Sequence, residues 1–99
     1  MSAGQSSGSP ADELTDVRAE IERIDGAIVR LIGERLRAGE RVAAAKRAAR
    51  LPLLDPEQEA AVIRRAAELA RNAKLPEEDI RDLFWRIIAL TRQSQVSPS

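Results

Sequence analysis

The chain has no cysteine, no histidine and no tyrosine, and only one phenylalanine and one tryptophan. Without cysteine and histidine, disulfides, thiol nucleophiles, histidine general bases and the usual zinc sites are excluded, so no metal is expected. Neither charge sign is in excess, because 16 Lys and Arg balance 16 Asp and Glu. A nucleic-acid binder ordinarily carries a basic surplus, and the short basic group Arg41, Lys46, Arg47 and Arg50 does not supply one. No apolar run approaches the roughly 20 residues of a membrane span. The N-terminus shows no basic region followed by an apolar one, so the cytoplasm is the expected compartment. No nucleic acid and no membrane is expected as a partner.

What is present is helical in composition, dominated by Ala, Leu, Ile, Glu and Arg. Ninety-nine residues suffice for one domain. Residues 1–11, small and polar, read as a disordered leader, and residues 97–99 as a frayed tail. Residues 12–96 remain to fold. Leu14, Val17, Ile21, Ile24, Ile28 and Leu31 recur at alternating spacings of 3 and 4, a heptad seam along one face of a helix. The spacing continues through Arg35, Ala38, Val42 and Ala45, with no proline between Ala11 and Leu51 and with Asp12 or Thr15 as cap. The expected helix of roughly 35 residues would be about 50 Å long. Gly26, Gly33 and Gly39 each weaken it by roughly 1 kcal/mol against Ala. Gly26 and Gly33 lie opposite the seam.

Leu51-Pro52-Leu53-Leu54 ends this helix, and Asp55-Pro56-Glu57-Gln58 starts the next as N-cap, N1 proline and capping-box glutamine. Val62, Ile63, Ala66, Leu69 and Ala70 form its apolar face, and Asn72-Ala73-Lys74 ends it. Pro76 with three acidic residues opens a third helix. Its inner stripe is Ile80, Leu83, Phe84, Ile87 and Ile88, continued by Thr91 and Gln95. The expected class is all-α, three helices per chain. A 50 Å helix overhangs a body whose radius of gyration is near 13 Å for about 100 residues. Two shorter helices cover its seam only in part, so a second copy of the chain is expected. A helical hairpin or a coiled-coil adaptor are the plainer alternatives.

Polar groups on the apolar faces are the informative feature. Arg35 sits on the seam. Lys46, 11 residues later, points within about 20° of it, so both can reach one small anion. Arg18 lies about 100° away and far toward the other end, where it can serve the site of a symmetric partner. Thr91 and Gln95 interrupt the inner stripe of the third helix, and Glu59 lies one turn inside the cap at Asp55. Each has an ordinary alternative. A seam arginine can snorkel or set register. Lys46, Arg18 and Glu59 can be solvated, Asp55 can be only a cap, and Thr91 and Gln95 can mark a fraying end. Their convergence from three helices favours a site.

These residues resemble the all-helical chorismate mutase family, the AroQ class. Leu14 to Asp25, with Arg18 followed by Ile21-x-x-Ile24-Asp25, is similar to its opening pattern. Glu34-Arg35 with Lys46 is similar to its central one. Leu53 to Glu59 resembles its second-helix start. Leu83-Phe84-x-x-Ile87-Ile88 followed by Thr91 and Gln95 resembles its last helix. The resemblance runs from about Leu14 to Gln95.

It implies an intertwined homodimer with two shared sites, no cofactor, and a [3,3] rearrangement of chorismate to prephenate. Arg35 and Lys46 would come from one subunit and Arg18 from the other, the two arginines binding the substrate carboxylates. Lys46 and Gln95 would donate to the ether oxygen, Thr91 would contact a carboxylate, and Asp55 and Glu59 would bind the substituent at C4. Gln58 stands where relatives often carry Arg. Either it completes the capping box, or it signals a substrate with an ammonium at C4, 4-amino-4-deoxychorismate. Isochorismate pyruvate lyase shares the scaffold and stands as a further alternative, as does a non-catalytic helical interaction module. The sequence names no activating partner enzyme.

Overall fold

The computed structural model describes residues 8–96. They form three helices, α1 (Pro10–Ala48), α2 (Pro56–Asn72) and α3 (Glu77–Val96), with no strand among the described residues. No described helix is long and apolar enough to cross a membrane. Most of the expected leader, residues 1–7, lies outside the described residues, as does the tail at 97–99.

α1 starts earlier than its periodicity suggests. Its cap is Ser9, whose Oγ accepts from the Asp12 amide at 3.0 Å, with Pro10 as the first helical residue. Asp12 and Thr15, the expected caps, are inside the helix, and the Thr15 hydroxyl donates back to the Ala11 carbonyl. α2 starts as the sequence predicts: Asp55 is the N-cap and accepts from the Gln58 amide at 3.2 Å, and Pro56 opens the helix. Among the described residues the Gln58 side chain makes no return bond, so only half of the capping box forms.

α1 and α2 end alike. Leu51 N–H reaches back to the Lys46 carbonyl and Arg50 N–H to Arg47, while Leu75 and Lys74 repeat the pattern on Ala70 and Arg71. These are Schellman ends. Their left-handed positions are held by Arg50 and Lys74, at φ 60° and 61°, rather than by glycine.

The contacts divide the chain after Gly33. The first part is the N-terminal stretch of α1, on which Leu14, Val17, Ile21, Ile24, Ile28 and Leu31 are all roughly half exposed. The second part holds the rest of α1 with α2 and α3. Its α2 and α3 pack on one another, and among the described residues its buried apolar ones are Ala43, Ile63, Ala66, Ala67, Ala70 and Ile88. Four of the six are alanine, which brings helix backbones close but buries little apolar area per residue. Several expected inner residues differ: on α1 the seam residues Ala38, Val42 and Ala45 are exposed, and Ala43, off the seam, is buried. Leu69 and Leu83 are exposed, and Ala67 takes the inward position on α2.

Candidate active site

A cavity of about 340 Å³ opens among the second part's helices. α1 supplies Arg35, Ala38, Gly39, Val42 and Lys46; the connection to α2 supplies Leu53 and Asp55. α2 contributes Gln58, Glu59 and Val62, and α3 contributes Ile88, Thr91, Arg92 and Gln95. Seven of the eight residues singled out in the sequence therefore line one cavity. Arg18, the eighth, is not among them and belongs to the first part of the chain.

The convergence follows from helix periodicity. Arg35, Ala38, Gly39, Val42 and Lys46 repeat at spacings of 3, 1, 3 and 4, which keeps them on one face of α1. Thr91 and Gln95 are one turn apart on α3. Gln95 Nε2 donates to the Gly39 carbonyl at 3.1 Å. Arg35 Nη1 donates to Thr91 Oγ1 at 3.5 Å, and Thr91 donates its proton to the Ile87 carbonyl at 3.0 Å. The Arg35 guanidinium also lies 5.9 Å from the centre of the Phe84 ring. Outside the lining, Arg47 holds the Gln95 main-chain carbonyl at 3.0 Å, and Ser94 bonds to Glu40.

The three cations of the cavity are not equivalent. Lys46 Nζ donates to the Leu53 carbonyl at 3.3 Å and stands 3.8 Å from Asp55. The loop between α1 and α2 is thus tied to the lysine that faces the cavity. Arg92 grips Glu59 with both Nε, at 2.8 Å, and Nη2. That hydrogen bond, helped by the carboxylate's charge, raises the Arg92 guanidinium pKa above its ordinary value. Arg35 has a hydroxyl and an aromatic face but no carboxylate partner among the described residues. Such a group keeps its capacity for a bidentate bond to an anion.

Arg92 did not emerge from the sequence. It directly follows Thr91, so it sits about 100° round α3 from the inner stripe. Its partner, Glu59, is 33 residues away. The one available signal was a cation next to a polar residue already read as part of the site.

The family described as chorismate mutase type II matches residues 17–96. A bifunctional chorismate mutase/prephenate dehydratase of Aquifex aeolicus (strain VF5) is 32% identical over 81 residues, covering 79% of this chain. The chain spans 22% of that relative's length. No solved structure matches significantly. The family match runs through all three helices, from Val17 to Val96, and on it the chain belongs to the chorismate mutase type II family.

Proposed function

We propose that the chain catalyses the [3,3] rearrangement of chorismate to prephenate, as a homodimer whose sites each take Arg18 from the partner subunit. The observation that carries this reading is Arg35: a cation in a lined cavity, beside a hydroxyl, with no carboxylate among the described residues to neutralise it. A dicarboxylate substrate supplies that partner.

The reaction breaks an ether C–O bond as a C–C bond forms, with no proton transfer. The protein has to hold the substrate's compact conformer and to place donors where charge grows on the ether oxygen. Arg35 with Thr91 would bind one carboxylate and Arg18 the other. Lys46 and Gln95 suit the ether oxygen. Each has its polar head fixed by a main-chain carbonyl, Leu53 and Gly39 respectively, and each has a further N–H to offer. Fixed donors of this kind need no reorganisation during the reaction. Asp55 and Glu59 would accept from the C4 hydroxyl.

The homodimer reading rests on the first part of α1. Its seam of six aliphatic residues is half exposed in the single chain, and the chain's own core is mostly alanine. A second copy laid along that seam would bury it, at roughly 25 cal/mol per Å² of apolar surface.

The test is loss of chorismate absorbance with purified chain, followed by product identification. Prephenate is expected. Pyruvate release from isochorismate would instead assign a lyase, and no turnover of either would favour an interaction module. Arg35→Ala is expected to lower kcat/KM for chorismate by about 10²–10³ with helix content unchanged.

A further inference from the structure

The cavity's charges can be counted from its lining. Arg35, Lys46 and Arg92 oppose Asp55 and Glu59, which leaves one uncompensated positive charge. Under the proposed function, Arg18 of the partner subunit adds a second. Two positive charges match chorismate, a dianion. They exceed by one the charge of 4-amino-4-deoxychorismate, whose ammonium reduces its net charge to minus one. Without Arg92 the balance reverses.

Placement agrees with the count. Glu59 is the more sheltered member of its pair, with a side chain 17% exposed against 52% for Arg92. Arg92 occupies both of its oxygens. Asp55, the other carboxylate, has one oxygen on the Gln58 amide and the other facing Lys46. An ammonium brought to this end of the cavity would meet two carboxylates already paired with cations, and Arg92 beside it.

We propose that Arg92 is a specificity-determining residue: by neutralising Glu59 it selects a substrate with an uncharged group at C4 and rejects one with an ammonium there. The inference rests on the proposed rearrangement and decides between its two candidate substrates. It also assigns Gln58 a different meaning. A glutamine at that position does not leave the site short of a cation, because α3 provides one.

The experiment measures kcat/KM for chorismate and for 4-amino-4-deoxychorismate with the native chain, Arg92→Gln and Arg92→Lys. The native chain is expected to prefer chorismate. Arg92→Gln should shift the ratio toward the amino substrate by about tenfold or more, the scale of one charge contact in a partly screened site. Arg92→Lys should keep the native ratio. Glu59→Gln, which removes one negative charge and so raises the net charge of the cavity by one, should move the ratio the opposite way. A lost side-chain contact of purely structural importance would slow both substrates alike and leave the ratio fixed. Native preference for the amino substrate, or a ratio that neither Arg92→Gln nor Glu59→Gln moves, overturns the inference while the rearrangement stands. A native chain inactive on both substrates overturns the proposed function, and this inference with it.

Discussion

A β-carbon on Gly39 would stand 2.7 Å from Cγ2 of Thr91. Thr91 is not free to turn aside, because its hydroxyl is bonded to both Ile87 and Arg35. The Gly39 carbonyl also holds Gln95. The absent side chain therefore sets how Thr91 and Gln95 face the cavity. Gly39→Ala should gain about 1 kcal/mol of helix propensity and still lose activity. The expected result is a fall of roughly 10- to 100-fold in kcat/KM for chorismate, since small misplacements of positioning groups carry costs of that order. Circular dichroism should show helix content unchanged or raised. Full activity in Gly39→Ala would show that this close approach positions nothing.

The proposed sharing of each site between two subunits makes a specific arithmetic prediction for mixed chains. Arg18→Ala and Arg35→Ala should each be nearly inactive alone. After subunit exchange of an equal mixture, half the dimers pair one variant with the other. Each such dimer has one site with both arginines, so about a quarter of native activity should return. If Arg18 serves its own chain's site, the mixture stays inactive. If Arg18→Ala alone keeps the native rate, Arg18 has no part in the site.

The residues legible in the sequence are those fixed by local rules. Arg35 and Lys46 share a face because 11 residues are close to three helical turns, and that holds whatever the helix packs on. Asp55 and Pro56 mark a helix start by local capping chemistry, and the structure starts α2 there. The residues misread depend on tertiary context. Leu69 and Leu83 fit an apolar periodicity, but periodicity defines a broad stripe and not its edge, and both are exposed. Gly39 looked like a flaw in a helix because the neighbour that needs its space, Thr91, lies 52 residues later. Arg92 was missed for the same reason: its role comes from Glu59 on another helix.

Arg50 and Lys74 offer a stability test that leaves the cavity untouched. Both hold left-handed backbone at Schellman ends. A side chain pays about 1–2 kcal/mol there, partly offset by the roughly 0.5–1 kcal/mol that glycine loses in backbone entropy. Arg50→Gly and Lys74→Gly should each stabilise by about 0.5–1 kcal/mol, seen as a rise of a few degrees in Tm. Their effects should add, because the 17 residues of α2 separate the two turns by about 25 Å. Chorismate turnover should not change in either variant. A lower Tm would mean that the positive φ angles are not kept in solution.

The turn between α2 and α3 carries a pH signature. Arg71 Nε donates to Glu77 at 2.9 Å and Nη2 to its second oxygen at 3.3 Å. The hydrogen bond from Arg71 is the main reason that the Glu77 carboxyl titrates below its ordinary value, with partial desolvation opposing it and the charge of Arg71 adding to it. A carboxyl whose pKa is lower in the folded than in the unfolded chain stabilises the fold above the unfolded value. That contribution is lost as the pH falls through the folded value. The loss therefore lies below about pH 4.3, and neutral pH leaves the pair intact. An NMR titration should place the Glu77 midpoint below that of an ordinary glutamate in the native chain, and Arg71→Ala should return it to the ordinary range. The same variant should begin to unfold at slightly higher pH on acidification, a small effect because the pair is solvent-exposed. A Glu77 midpoint that is the same with and without Arg71 would show that the two side chains do not meet in solution.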